Sequence, residues 1–501
     1  MSQTVEIVID GVVKNAEIGL KISDVLRADM PCGGKGRCGK CKVLATGELS
    51  PVCESEIRHL TKDELEMGYR LACKCEILGK CQIISAKKAG KHQILTHGGD
   101  LDVDICPPFE KYGIAVDIGT TTLAASLYDK NGALLAANSD LNPQSAFGAD
   151  VISRIEASMG GRSAELADAV RKAVNEMILS LCKSAKIKST DVDSMVITGN
   201  TAMLYLLTGA SPVTLSRAPF VADKYFGECI SAKELGISAL DKSAEIYLPP
   251  CIGAFVGADL VCAVLASKMC DKSKSSLLAD IGTNGEMALW QDNKLSVCST
   301  AAGPAFEGVG ISAGMRGAVG AIDRVSIVNG SLFCHVIGEA QPIGICGSGL
   351  IDAVAALLDL EILDETGYLE DDFVTLSGKI CLTQQDVRMV QLAKSAIYSG
   401  ISTLVSQNGA SFEDMDALYI AGGFGNYLNM RSASRVGLIP SELESRIKVI
   451  GNAALAGASM ILLNADMKTK AKTIAHNARI VELSSNPVFA ELYMNNMMFL
   501  E

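Results

Sequence analysis

Asp280-Ile281-Gly282-Thr283-Asn284-Gly285-Glu286 is the stretch on which the fold turns, and Asp117-Ile118-Gly119-Thr120-Thr121-Thr122 is its counterpart. Each closes an apolar, β-branched run, 113–118 in the first case and 276–281 in the second. A second alternating run follows each, then a turn, Asn131-Gly132 and Asp292-Asn293. Strand, Gly-Thr turn, strand, turn, strand is thus predicted twice, 163 positions apart. Two copies of one β-unit predict a duplicated fold with a ligand gripped between the halves. A turn of Gly, Thr and Asn lets the backbone approach a phosphate and offers amide and hydroxyl donors. The strand-end aspartates only accept, which suits Mg²⁺ or its waters, or the orienting of an attacking water. The plainer alternative is two hairpins with ordinary turns; the pairing of the two copies argues against it.

The pair resembles the sugar kinase, Hsp70 and actin ATPase superfamily, whose phosphate 1 and phosphate 2 motifs the two D-I-G-T turns match. A predicted strand over 195–197 runs into Thr198-Gly199-Asn200-Thr201, in the position of the superfamily's first connecting motif; an ordinary strand-to-helix turn is the alternative. A strand over 417–421 feeds Gly422-Gly423-Phe424-Gly425-Asn426, which matches the adenosine motif. The resemblance implies an α/β, two-lobe ATPase that binds ATP with Mg²⁺. Asp117 and Asp280 would hold Mg²⁺ or position water. Gly119, Thr120, Thr121 and Thr122, with Gly282, Thr283, Asn284 and Gly285, would hold phosphates, and Gly422, Gly423 and Gly425 would face adenosine. Glu286 is a further catalytic candidate or a structural strand residue. Two more small-residue turns follow, 303–308 and 344–349, and the second precedes a helical stretch whose N-terminus could hold an anion.

Composition excludes several classes. A chain of 501 residues should hold two or more domains, and 49% hydrophobic with 20% charged residues argues for a packed protein. A net charge of -12 speaks against nucleic acid, where basic patches supply most of the affinity. Five histidines make a His-based site improbable. The start of the chain alternates like a strand instead of showing a basic-then-apolar leader. The apolar stretch 251–266 carries Asp259 and falls short of a membrane span. The expectation is a cytoplasmic protein with no membrane or nucleic-acid partner.

Cysteine is unevenly spread: seven of 17 fall between Cys32 and Cys81, and the scattered remainder read as small buried hydrophobes. Cys32, Cys38 and Cys41 form C-x5-C-x2-C in a glycine-rich loop, and Cys73 follows in Arg70-Leu71-Ala72-Cys73. Three thiolates on one loop and a fourth from afar can close a four-sulfur iron site. The glycines let backbone N–H groups turn towards the sulfurs. The plant-type [2Fe–2S] spacing is C-x4-C-x2-C…C, and one extra residue in the first gap resembles adrenodoxin-type ferredoxins. A zinc site is the alternative, although a zinc ribbon normally shows two C-x2-C pairs and one is present. Cys75 and Cys81 lie near enough to compete with Cys73 as fourth ligand. Within the loop, Gly34, Gly36 and Gly39 satisfy G-x-G-x-x-G without a strand-then-helix context. A second match, G-x-x-x-x-G-K, ends in Cys41 where Ser or Thr should stand; neither is credited.

The predicted domains are an α+β ferredoxin-like unit over 1–86, a linker over 87–111 with Gly98-Gly99 and Pro107-Pro108, and ATPase lobes over 112–274 and 275–501. A ferredoxin fused to such an ATPase resembles the reductive activators of corrinoid enzymes. The likeness also covers 303–308, 346–352, 421–427, 437–440 and 451–455. It implies ATP-coupled transfer of one electron from a [2Fe–2S] cluster to a Co(II) corrinoid protein of a methyltransferase system, giving Co(I). It also implies an upstream donor (a ferredoxin or flavoprotein) and a homodimer. Some members of that family carry an extra domain between ferredoxin and ATPase, where this chain has only the short linker. Three rival readings are an activator of a 2-hydroxyacyl-CoA dehydratase, a redox-sensing nucleotide-binding module, and a small-molecule kinase with an appended ferredoxin. The first lacks the N-terminal cysteine loop, and the last should phosphorylate an added acceptor.

Overall fold

The Asp10-Gly11 turn, both residues at positive φ, joins β1 (Thr4–Ile9) to β2 (Val12–Glu17) as a tight hairpin. The computed structural model describes residues 4–26, 30, 32–37, 39–85 and 101–499. Cys38 and the first part of the linker lie outside them; a short helix is observed over Ile22–Val25. With β3 (Lys42–Leu49), β4 (Tyr69–Leu71) and β5 (Ile77–Ser85), the N-terminal sheet runs β2-β1-β5-β3-β4. Strict alternation of buried and exposed residues along β5 gives the sheet one core face, where Ile7, Val43, Leu71, Ile77 and Ile83 meet. One buried ion pair fixes the segment after β4. Arg70 donates from Nε and Nη2 to Glu56, at 2.9 and 3.0 Å, and Glu56 also accepts from the Leu71 and Cys53 amides. Each carboxylate lone pair in this dry site thus has a donor, the condition under which a buried pair is tolerated.

The first ATPase sheet contains β6 (Tyr112–Ile118), β7 (Thr122–Asp129), β8 (Leu134–Leu141), β9 (Val192–Gly199), β10 (Glu228–Ser231) and β11 (Glu245–Leu248) in the order β10-β11-β9-β6-β7-β8. The second half opens with β12 (Ser276–Ile281), β13 (Gly285–Gln291) and β14 (Lys294–Thr300). It then adds a small sheet of β15 (Ala321–Val328), β16 (Ser331–Val336) and β17 (Gly344–Ile345), and a hairpin of β18 (Phe373–Ser377) and β19 (Ile380–Thr383). Last come β20 (Ala417–Ala421), β21 (Ile447–Gly451) and β22 (Ala478–Ile480), giving a main sheet ordered β21-β20-β12-β13-β14-β22. The duplication is visible in the pairing. In each half an antiparallel meander of three strands gains a parallel neighbour on its first strand, β9 on β6 and β20 on β12.

Two helices fill the space between the lobes, Ala258–Ser267 from the first and Ala453–Leu463 from the second. The latter is buried on every side, as its unbroken apolar sequence demands. They cross so closely that a Cβ on Gly457 would lie 2.0 Å from the Cys262 carbonyl oxygen. This central core takes side chains from both lobes, Ala115 and Val196 from one and Leu278 and Tyr419 from the other. Amphipathic helices Ser163–Ala185 and Gln384–Gln407 cover the outer faces.

Two sequence readings are corrected here. The last part of the predicted linker is docked: Phe109 is buried, Leu101 and Val103 pack on the central core, and the Cys106 amide donates to Leu463. Its apolar residues outweigh the Gly and Pro around them. Nor are all the scattered cysteines buried, since Cys106 and Cys229 are exposed.

Candidate functional site

The two Gly-Thr turns face each other across a cavity of ≈ 460 Å³ between the lobes. In the first, the Gly119 amide closes on the Thr122 carbonyl at 2.9 Å, so the chain reverses immediately after Asp117. Asn142 braces it from outside: its Nδ2 donates to the Gly119 carbonyl at 2.8 Å and its amide to the Thr121 carbonyl at 2.9 Å. Asn200, the N-cap of helix Thr201–Thr208, donates to Thr120 Oγ1 at 3.1 Å. The connecting motif is therefore at the cleft. In the second turn the Gly282 amide donates to the Asn284 carbonyl, and the Gly303 amide to the Thr283 carbonyl.

Asp117, Gly119, Thr120, Thr121 and Thr122 line the cavity from one side, with Asp280, Gly282, Thr283, Asn284 and Glu286 opposite and Gly422 and Gly423 along one wall. Gly285 and Gly425 stand back from it. Gly285 begins β13 in register with Ile281, and a Cβ on Gly425 would strike Ile420. Phe424 does reach the cavity and stacks on Phe306, centroids 5.1 Å apart and planes 5° from parallel. That pair offers a flat apolar wall beside the adenosine-motif glycines.

Carboxylates crowd the cleft floor. Burial first, then the charge of Asp259, pushes the Asp117 carboxyl up to about 7, with Asn452 Nδ2 opposing from 3.1 Å. Burial followed by Asp259 likewise takes Asp280 up to about 7, and burial takes Asp259 itself up to about 6. Glu286, opposite Asp280 in the β12–β13 pairing, is raised by burial and by both of these aspartates. Hard oxygen acceptors that repel one another in a desolvated pocket are of the kind a divalent cation stabilises, although among the described residues no three His, Cys, Asp or Glu side chains form a ready-made metal cluster.

Sequence reasoning missed Asp259, although it is the single acid in the apolar run 251–266. Asn142 carries no motif, and Asn452, though inside the resembling stretch 451–455, is given no role by it. Arg316 and the His335–Asp323 pair, 2.5 Å apart, also line the cavity.

A second site lies at the glycine-rich loop. Gly33, Gly34, Gly36 and Gly39 all take positive φ there, which wraps the loop around Cys73. The Cys41 thiol donates to Cys73 Sγ at 3.3 Å. That bond first, with Lys74 and the Gly36 amide, holds the Cys73 thiol down to about 7 against burial. Cys75, by contrast, is pushed up to about 11 by burial, and Cys81 is raised by the same cause. Sulfur with amide donors turned on it fits a thiolate-bound iron cluster, and of the three candidates it is Cys73 that meets Cys41. Cys32 is half-buried on the loop; Cys38 lies outside the described residues.

The loop is seated on both lobes. Gly33 abuts the Phe147 carbonyl and Gly148, Lys35 lies 3.6 Å from Glu156, and Lys40 Nζ reaches the Ile311 carbonyl at 3.5 Å. No helix among the described residues is long and apolar enough to cross a membrane.

Comparison with known proteins places these features in a family. Residues 112–272 match the RACo middle region, and 274–501 match the C-terminal domain of RACo, described as the ASKHA domain. The corrinoid activation enzyme RamQ of Eubacterium limosum is 33% identical over 573 aligned positions, covering 97% of this chain and 95% of that protein. The alignment is longer than the chain, so that relative carries segments absent here. The [Co(II) methylated amine-specific corrinoid protein] reductase of Methanosarcina barkeri is 27% identical over 70% of each chain. A solved structure, the reductive activator for corrinoid, iron-sulfur protein, superposes with a TM-score of 0.74 at 27% identity, covering 99% of this chain and 98% of that one. The chain belongs to the RACo family, with the ASKHA fold in its C-terminal part.

Proposed function

We propose that this protein is an ATP-dependent reductive activator that returns a Co(II) corrinoid protein of a methyltransferase system to Co(I). The observation that carries this reading is the continuity of the two sites. The segment 142–148 bonds to the first phosphate turn at Asn142 and abuts the cysteine loop at Phe147 and Gly148. Lys40 of the same loop meets Ile311, four residues beyond Glu307 at the second turn.

In this reading Cys32, Cys38, Cys41 and Cys73 hold a [2Fe–2S] cluster, which when bound supplies one electron at a time. Glycine-loop amides stabilise the thiolates. Asp117 and Asp280 hold Mg²⁺ or orient water, with Asp259 and Glu286 adding charge. The hydroxyls and amides of the two turns hold the polyphosphate, and Gly422, Gly423 and the Phe306–Phe424 pair face the nucleoside. Nucleotide drawing the turns together shifts the segments that seat the cysteine loop. A two-state bias of about 5.5 kcal/mol corresponds to roughly 240 mV for one electron, at about 59 mV per tenfold. An upstream ferredoxin or flavoprotein supplies the electron, and the working unit is a homodimer, which sedimentation of the anaerobic protein checks.

The test uses anaerobically purified, reduced protein mixed with a Co(II) corrinoid protein, followed by its visible spectrum. Co(I) should grow only with Mg-ATP and be lost in Cys73→Ala and Asp280→Ala. No Co(I) with several corrinoid proteins, despite an intact cluster spectrum and ATP binding, would move the assignment to another acceptor.

A further inference from the structure

Glu307 occupies the gap between the two phosphate turns. It ends the single helical turn Pro304–Glu307, bounded by Gly303 and Gly308, both at positive φ near +80°. Its Oε1 accepts from the Thr283 hydroxyl at 2.6 Å, and its Oε2 accepts from the Thr121 hydroxyl. Those hydroxyls come from opposite lobes and stand 3.5 Å apart. One carboxylate therefore bonds the two turns to each other with the same donors that a polyphosphate chain would use.

The backbone gives this side chain little freedom to retreat. Phe306 beside it is stacked on Phe424. On the other side, a Cβ at Gly308 would lie 2.6 Å from the Met315 amide and one at Gly314 would lie 2.2 Å from the Gly308 carbonyl, so these chains are in tight contact. The fully buried Arg154 bonds the Gly148 carbonyl through Nε at 2.9 Å and Met203 Sδ through Nη1, and it feels the Glu307 charge without bonding to it. An anion held here by covalent geometry must share the gap with any phosphate that enters.

We propose that Glu307 is the positioning and selectivity residue of the nucleotide step. In the free protein it holds Thr121 and Thr283 in register across the cleft, and its fixed negative charge admits polyphosphate only with a cation to screen it. This rests on reading the cleft as the nucleotide site, and it adds a residue that sets which form of nucleotide can bind. Like charges brought within a few ångströms in a partly buried site repel strongly, whereas a divalent cation bound with the nucleotide would screen that repulsion.

The test is equilibrium binding of ATP to the full-length protein, in Mg²⁺ and in EDTA, for the native chain, Glu307→Gln and Glu307→Asp. The native protein should favour Mg-ATP over metal-free ATP by at least about tenfold. Glu307→Gln keeps the size and one acceptor but loses the charge, so metal-free ATP should tighten until the two forms differ by less than about threefold. Glu307→Asp keeps the charge and should keep the preference, while its shorter reach lowers kcat for ATP hydrolysis more than it raises KM. A purely structural role would leave the Mg²⁺ preference of Glu307→Gln at the native value, and that result overturns the proposal. Loss of preference in Glu307→Asp as well would also overturn it, because charge would not be the cause. A native protein that binds ATP under neither condition sinks the nucleotide reading itself, a separate failure.

Discussion

The two halves of the ATPase share a frame and differ in chemistry. Each carries an aspartate at the end of its first strand and a glycine turn after it. Yet Asp117 is opposite Ala124 in the strand pairing, whereas Asp280 is opposite Glu286. The second lobe supplies two acids from one hairpin; the first supplies Asp117 from its sheet and Asp259 from the helix it places between the lobes. Bracing differs as well. The first turn is held by the side chains of Asn142 and Asn200 and the second by the Gly303 amide, while the Glu307 carboxylate bonds both. Duplication built the cleft, and residues outside the duplicated unit made its sides unequal.

The sharpest way to break this comparison is to neutralise each aspartate in turn. Asp280→Asn should lower ATP-dependent Co(I) formation by about 10²-fold or more, the scale of losing a group that aligns water or charge. Asp117→Asn should cost less, since Asn452 already bonds it and Asp259 stays beside it. Equal losses in steady-state rates would mean the halves are functionally symmetric despite their unequal acids.

Next in size is the brace. Asn142 is fully buried, and replacing it by Ala strips partners from the Gly119 carbonyl and the Gln144 amide. Unpaired buried groups cost about 1–3 kcal/mol, which thermal or denaturant unfolding would register as a lower midpoint. Among the described residues, no single side chain of the second lobe holds the backbone of its turn in this way. If Asn142→Ala unfolds at the native midpoint, the first turn is self-supporting and the contrast in bracing is only apparent.

Much of this was legible in the chain because the Asp-Ile-Gly-Thr turns repeat and each follows a β-branched run. Local pattern determines local shape there, and the adenosine-motif strand over Ala417–Ala421 was legible for the same reason. Asn142 could not be read that way: the turn residues it braces, Gly119 and Thr121, lie 23 and 21 positions upstream, and no periodicity marks a brace. Asp259 left a trace, one acid in an apolar run, that has meaning only once the helix is seen to end at the cleft. Glycine runs gave the opposite difficulty. The pattern marks Gly422, Gly423 and Gly425 alike, but only the fold decides that the last turns inward onto Ile420.

A gentler perturbation is pH. Asp117 and Asp280 rise to about 7 and Asp259 to about 6, from an ordinary 3.8. A carboxyl raised in the folded state binds its proton more tightly there than in the unfolded chain. Its contribution to stability is therefore complete below the ordinary value and is lost as pH climbs through the folded one. Without metal, the protein should lose stability between about pH 4 and 7, and Asp280→Asn should flatten that slope. Mg²⁺ needs the ionised carboxylates, so its stabilising effect on melting should grow over about pH 6–7. A metal effect independent of pH in that window would show that the acids of the two lobes do not share one cation.

The smallest expected effect concerns the seat of the cysteine loop, where the lobes also differ. The first lobe meets it by packing at Phe147–Gly148 plus the Lys35–Glu156 contact, the second through Lys40 on the Ile311 carbonyl. Lys35 and Glu156 are both more than half exposed, and an exposed pair contributes about 0–1 kcal/mol, screened further by salt. Lys35→Ala should therefore barely move the melting midpoint, and the dependence of Co(I) formation on Mg-ATP should survive it. Gly33→Ala is the informative partner. Its Cβ would lie 2.8 Å from the Phe147 carbonyl at a positive φ, so it forces the loop off the first lobe through packing alone. If the coupling of ATP to electron delivery weakens in Gly33→Ala and not in Lys35→Ala, shape and not charge carries the signal from the phosphate turn to the sulfurs. The reverse order would assign that role to the ion pair, and the coupling should then fade as salt is raised.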